Sequence, residues 1–375
     1  MKNIVIIDHE PLSVRRQHIF HIDQLLNAGL QVEHWDMSPY FYPGMQIVDT
    51  IQTDYSFRFS TLKDLQSRLQ SIDLSHTLFI VEAFDRWPNR HFFRLLSDNG
   101  CYMIRMELYS TATLDELPLW RKILASTPRQ IALGIWHKVQ QKLYDYYKRI
   151  HKINGYNLSI RSGGKQPADV YINHPDWEAY QQALQSASSE TSQQKNVVFL
   201  DEFFPLHPDC QYFLKQTPGD AQTYRDSLNR FFDRVEKQYD VKIIIAAHPK
   251  AEYAPDTFGG REIVKYRTVD LVRDAEWVIM HSSAAFSFVV MFNKPLMLIT
   301  TNGYTRTRAQ YRHLLRLSRL TGLCPIDIDQ PNQEIVPAQH IPKEIRNRYI
   351  YEYLTSPGIE NRQTIDILFE TLTTL

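Results

Sequence analysis

Residues 197–209 read VVFLDEFFPLHPD. Four apolar residues, Val197 to Leu200, run straight into two acids, Asp201 and Glu202, then into aromatics, a proline and a His-Pro pair. The apolar run has the length of a buried strand. Two carboxylates at its end are costly to bury without partners, so the strand end is expected to open onto water or onto a ligand. In α/β proteins that place is a cleft beyond the carboxyl ends of the strands.

The same pattern extends outward on both sides. Before this stretch, strands are expected at Ile4–Ile7, Val32–Trp35, Leu78–Val81 and Tyr102–Arg105, with helices around Val14–Ala28, Leu62–Leu69 and Arg90–Leu96. After Val197–Leu200 come a helix at Ala221–Tyr239 and strands at Lys242–Ala246, Ile263–Val264, Trp277–Met280 and Leu296–Ile299. Tyr224, Leu228, Phe231, Val235 and Tyr239 recur at spacings of three and four, which supplies one buried helix face. Strands alternating with helices predict parallel sheets covered by helices. Between the halves, QSASSETSQQKN (Gln185–Asn196) is polar and lacks any bulky apolar residue, as an interdomain linker does. The expected fold class is therefore α/β, with two Rossmann-like domains facing a cleft: residues 1–185, a linker at 186–196, and residues 197–375.

Composition agrees with that division. A chain of 375 residues exceeds what one hydrophobic core normally serves. The 42 basic and 42 acidic side chains balance, so no global field recruits nucleic acid, and any anion site must be local. Cys101, Cys210 and Cys324 lie far apart without a metal-ligand spacing, which argues against a zinc site or a disulfide scaffold. The opening MKNIVIIDHE acquires charge too soon for a signal peptide, and no apolar run is long enough for a membrane helix. The expected location is the cytoplasm.

Three further stretches carry chemistry. In VKIIIAAHPK a buried strand ends in Ala246-Ala247 and then His248-Pro249, and the proline keeps His248 out of helical geometry at the strand end. There His248 either contacts a phosphate or is satisfied by turn backbone. In EWVIMHSSAAF, Ser282 and Ser283 stand between a strand and a helix, where free N–H groups and hydroxyls suit an anion, and Ala284-Ala285 leave the approach open. Between them, REIVKYRTVDLVRDAE sets Lys265, Tyr266 and Thr268 in a turn at the same sheet edge, suited to a nucleobase or ribose.

The order FLDEFFPLHPD, IIIAAHPK, FGGREIVKYRTVDLVRDAEWVIMHSSAAF resembles the nucleotide-binding half of bacterial GT-B glycosyltransferases that use CMP-activated sugars. These are the Kdo transferases of capsule and lipopolysaccharide synthesis and the sialyltransferases with an HP motif and a later Ser-Ser or Ser-Thr motif. The likeness runs from about Val197 to Thr301. It implies that His248, with Pro249 behind it, and Ser282 with Ser283 hold the CMP phosphate, and that the reaction needs no metal or other cofactor. It also implies a bacterial surface glycan, free or lipid-linked, as acceptor. His207-Pro208-Asp209 is a second His-Pro, ranked below His248.

Asp201 and Glu202 are then candidates to deprotonate an acceptor hydroxyl or attack the anomeric carbon, with Asp201 preferred and one of the two expected to be structurally paired. Asp8 and Glu10, in IIDHEPLSVRRQHIF, follow a strand in the same way and are the alternatives from the first domain. Ser162-Gly163-Gly164 reads as a surface turn. The stretch Trp136–Lys152 mixes aromatic and basic residues; a core helix with a solvated basic face is the favoured reading, and peripheral contact with a membrane is the alternative. A CDP-polyol phosphotransferase and a non-catalytic nucleotide- or glycan-binding protein are the rival functions.

Overall fold

The computed structural model describes residues 3–45, 49–108, 128–186, 195–208, 210, 220–331 and 333–375. The linker expected at 186–196 lies almost wholly outside them, as does Asp209.

The first sheet contains β1 (Asn3–Asp8), β2 (Gln31–Asp36), β3 (Ser56–Arg58), β4 (Thr77–Glu82), β5 (Tyr102–Glu107), β6 (Leu158–Ser162) and β7 (Val170–Ile172), in the order β3-β2-β1-β4-β5-β6-β7. The second contains β8 (Asn196–Leu200), β9 (Lys242–Ala246), β10 (Ile263–Val264), β11 (Trp277–Met280), β12 (Leu296–Thr300) and β13 (Ile326–Asp327), in the order β10-β9-β8-β11-β12-β13. All pairs within the two sheets are parallel. Each sheet follows the Rossmann order, which reverses direction beside its first strand, between β1 and β4 in one domain and between β8 and β11 in the other.

Alternation along β1 explains the two-sided core. Ile4 and Ile6 face one helical layer with Phe20, Ile22 and Leu25, whereas Val5 and Ile7 face the other with Phe92, Phe93 and Leu96. In the second domain β8 is buried along Val197–Leu200, and the helix Ala221–Tyr239 covers it with Tyr224, Leu228, Phe231 and Val235. Asp220 caps that helix, accepting from the Gln222 and Thr223 amides at 3.0 and 3.2 Å.

Three local expectations are corrected, and four strands are added to those the pattern marks. The helix expected over Val14–Ala28 is two helices, Val14–Ile19 and Ile22–Asn27, because His21 at the break adopts a left-handed conformation with φ 52° and the buried Phe20 and Ile22 flank it. Strands β3, β6, β7 and β13 are too short or too polar to stand out by pattern. The turn at Ser162-Gly163-Gly164 is no free surface loop: Gly163 has φ +70°, and a Cβ there would overlap the Glu352 carbonyl, while Gly164 N–H donates to Tyr351 O at 2.7 Å. The helix Pro128–Ile150 is not a core helix; of its apolar and aromatic side chains from Ile135 onward, only Tyr144 is fully buried.

Packing also departs from the boundaries 1–185 and 197–375. The helix Pro175–Gln185 sets Trp177 and Tyr180 against the second core, and the final helix Thr364–Thr374 returns Ile367, Leu368 and Leu372 to the first. Asn173 ties the two crossings together: its amide donates to Ile359 O and Arg362 O, and its carbonyl oxygen accepts from the Thr355 hydroxyl at 2.6 Å.

Candidate functional site

Both direction reversals open onto one cleft of about 600 Å³, lined from the first domain by Glu10, Arg15, Arg16, Glu82 and Glu107 and from the second by Asp201, Glu202, His248, Ser282 and Ser283. The cleft therefore lies beyond the strands' carboxyl ends, where parallel sheets leave unpaired backbone groups.

Asp201 and Glu202 follow β8 but do different things. Asp201 is 4% exposed; it accepts from Phe203 N–H at 3.1 Å, His248 N–H at 3.3 Å and the Tyr253 hydroxyl at 2.8 Å. Burial raises its pKa, and those hydrogen bonds oppose the rise. It thus fastens the end of β8 to the end of β9. Glu202 accepts from the Ser282 N–H and from the Tyr304 hydroxyl at 2.8 Å. Burial pushes its carboxyl up to about 7 against those hydrogen bonds, and the nearby Asp201 adds to the rise.

The loop after β11 is built around a buried histidine that the sequence reading passed over. His281 donates through Nδ1 to Ile299 O at 2.8 Å, which leaves Nε2 to accept from the Tyr224 hydroxyl at 2.8 Å; its ring stacks on Tyr304 at 4.2 Å. Burial lowers its pKa to about 4, so it is a neutral anchor. Ser282 beyond it is committed to Glu202, and its hydroxyl lies 2.6 Å from the Tyr304 hydroxyl. The helix begins only at Phe286, with Ala285 at its cap position, so the serine pair is not the cap expected from the sequence. Ser283 Oγ accepts from Ala285 N–H at 3.3 Å. The Ser283 and Ala284 N–H groups have no partner among the described residues and border the cleft.

His248 sits at the end of β9 with Pro249 beside it in the cleft wall. Its Nδ1 accepts from Lys250 N–H at 3.1 Å, so its proton is on Nε2, 3.3 Å from His207 Nε2. Burial, then His207, Lys250 and Arg15, hold it well below its ordinary pKa. It is a neutral donor rather than an imidazolium. The turn expected to hold a nucleobase is divided: Thr268 lines the cleft, whereas Lys265 lies over the Tyr266 ring at 5.7 Å and Tyr266 is 58% exposed, and neither lines it.

In the first domain Asp8 is fully buried beneath the cleft rather than in it. It pairs with Arg16 at 3.4 Å and His34 at 3.5 Å; burial would raise its pKa, but Arg16 and His34 hold it below the usual range. Glu10 does line the cleft, and pairs with Arg16 at 3.4 Å and with Lys250 of the second domain at 3.1 Å; these cations outweigh burial and keep it ionised.

Glu82 was not singled out by sequence. It ends β4, in register with Asp8 on β1, and its carboxyl makes no hydrogen bond among the described residues. Burial pushes it up to about 8; Arg16 opposes, and Asp8 and Glu107 add to the rise. Glu107, at the end of β5, is paired with Arg105 and Arg161. Arg15 lines the cleft without a carboxylate partner among the described residues.

No family model and no curated protein matches the chain. Among solved structures, "Spinosyn Forosaminyltransferase SpnP" is 13% identical, with 93% of this chain and 89% of that one covered and a TM-score of 0.41. The S. aureus MnaA-UDP co-structure is 11% identical, with 100% and 98% covered and a TM-score of 0.47. MurG of Acinetobacter baumannii is 10% identical, with both chains fully covered and a TM-score of 0.45. Similarity at this level says nothing about what occupies the cleft. The topology itself, two Rossmann-like domains with their strand ends facing one cleft, is the architecture of GT-B glycosyltransferases.

Proposed function

We propose that this protein is a metal-independent glycosyltransferase that moves an ulosonic acid sugar from a CMP donor to a bacterial surface-glycan acceptor. One observation carries the reading: a carboxyl at the reversal point of the first sheet, Glu82, faces into the same cleft as N–H donors at the reversal point of the second that have no partner among the described residues. Transfer needs a base on the acceptor side and anion donors on the donor side.

On this reading the Ser283 and Ala284 amides, the Ser283 hydroxyl and Arg15 stabilise the departing phosphate, and His248 joins them by exchanging its Nε2–H contact with His207 for one with the phosphate. The acceptor hydroxyl loses its proton to Glu82 as its oxygen bonds to the anomeric carbon, and the C–O bond to phosphate breaks with its electron pair leaving on CMP. Glu10 and Asp201 hold Lys250 and His248 in place, and Asp8 holds Arg16. The choice of donor rests on the His-Pro and Ser-Ser resemblance.

A thermal-shift panel of CMP, CDP, UMP, UDP, GDP and ADP tests it, because a ligand bound only by the native state raises the melting temperature. CMP is expected to give the largest rise, and CMP-sugar hydrolysis to release CMP and free sugar. A rise with UDP alone would move the donor class. No rise with any nucleotide would remove the nucleotide-sugar reading.

A further inference from the structure

The helix Pro128–Ile150 carries an apolar stripe that no described residue covers. Trp136, Val139, Leu143, Tyr146 and Ile150 recur at spacings of three and four, so they form one line along the helix, and Ile135 widens it. All six are exposed, with Ile135 at 59%, Trp136 at 55% and Ile150 at 55%. The adjoining side holds the helix to the domain: Tyr144 donates to Asp85 at 2.5 Å, Lys148 pairs with Asp85 at 2.9 Å, and Tyr147 packs on Trp87 and His91. The stripe is therefore presented outward by a firmly seated helix.

Charge identifies the occupant. Within residues 128–150 five Lys and Arg side chains stand against a single acid, Asp145, although the whole chain is neutral. Lys138, Lys142 and Arg149 are exposed on the side of the stripe away from the domain, and Lys152 follows. A second copy of the helix would bring like charges together, whereas an anionic surface would be attracted by them. We propose that this face docks on an anionic lipid bilayer, with the stripe entering the headgroup region and the basic side chains meeting lipid phosphates. The helix lies on the bilayer; no described helix is long and apolar enough to cross one. This goes beyond the transfer reaction and does not depend on its donor.

Co-sedimentation of the full chain with vesicles tests it. The protein is expected to pellet with phosphatidylcholine vesicles containing phosphatidylglycerol, not with phosphatidylcholine alone, and to be released by salt. Lys138→Gln/Lys142→Gln is expected to lower binding about 25-fold, roughly fivefold for each lost cation. Trp136→Ser/Leu143→Ser is expected to abolish it while circular dichroism stays unchanged, since both side chains are exposed and neither belongs to a described core. Absence of binding to the anionic vesicles overturns the proposal, as does equal binding to both vesicle types. So does a dimer by analytical ultracentrifugation that the Trp136→Ser/Leu143→Ser variant dissolves while vesicle binding persists, which would assign the face to a second copy.

Discussion

Lys250 of the second domain reaches across the cleft to Glu10 of the first, Nζ to Oε1 at 3.1 Å, with both side chains nearly nine-tenths buried. The pair joins the loop behind His248 to the loop behind β1, so it fixes how far apart the donor and acceptor walls stand.

Glu10→Gln is expected to destabilise the protein at pH 7 by about 1.5–3 kcal/mol, the usual cost of a lost charge-assisted hydrogen bond. Glu10 has a depressed pKa, so its stabilisation is present above the ordinary carboxylate range and is lost as pH falls below it. Urea denaturation at pH 7 and pH 4 measures this: the gap between wild type and variant should narrow at the lower pH. An unchanged gap would show that the ionised carboxylate is not the source of the effect.

Ser283→Ala and Arg15→Ala are each expected to weaken nucleotide binding by about tenfold or more without lowering the melting temperature, since neither side chain fills core volume. Ser282→Ala should act differently, because its hydroxyl serves Tyr304 and Glu202 rather than the open cleft. Calorimetry with CMP separates the three; equal losses would mean that Ser282 also faces the phosphate.

Glu82→Gln is expected to reduce transfer by roughly 10²–10⁴-fold while leaving nucleotide affinity intact. The wild-type rate should rise with pH towards about 8 as the base ionises. Stability should move the other way. A carboxyl whose folded pKa is raised binds its proton more tightly when folded, so its contribution is full below about 4.5 and lost as pH rises through about 8. Melting temperature against pH should therefore fall less steeply above pH 5 in Glu82→Gln than in wild type.

If Glu202 rather than Glu82 reacts, it would attack the anomeric carbon and leave a sugar ester on the protein. Intact-mass spectrometry after mixing with donor is expected to show no such adduct, and Glu202→Gln to retain transfer more fully than Glu82→Gln. An adduct that vanishes in Glu202→Gln reverses the assignment and implies net retention.

Gly163→Ala is expected to destabilise by more than about 2 kcal/mol, combining left-handed strain with overlap on the Glu352 backbone. Chemical denaturation checks it; a change below about 0.5 kcal/mol would mean that the returning segment is not held against this turn.

Local pattern made much of this protein legible. Continuous apolar runs such as Val197–Leu200 and Ile4–Ile7 mark strands buried on both faces, and the three-and-four spacing from Tyr224 to Tyr239 marks a covering helix, because both periods are properties of the backbone alone. Acids and small polar residues at strand ends likewise marked the cleft. Glu82 ends Leu78–Val81 as Asp201 ends Val197–Leu200, so its signal was present in FIVEAF and went unread. What sequence left undecided was which of these acids is free. Asp8 is buried under Arg16 and His34, Asp201 is consumed by Tyr253 and the His248 amide, and Ser282 is occupied by Glu202. Each of these partnerships joins residues tens of positions or more apart, apart from Asp8 and Arg16, which the short loop from β1 into the first helix brings together. The return of Thr364–Thr374 to the first core spans nearly the whole chain. Such contacts depend on how strands and helices stack in space, where a carboxylate's neighbours, and hence its charge, are set by tertiary packing rather than by its place in the chain.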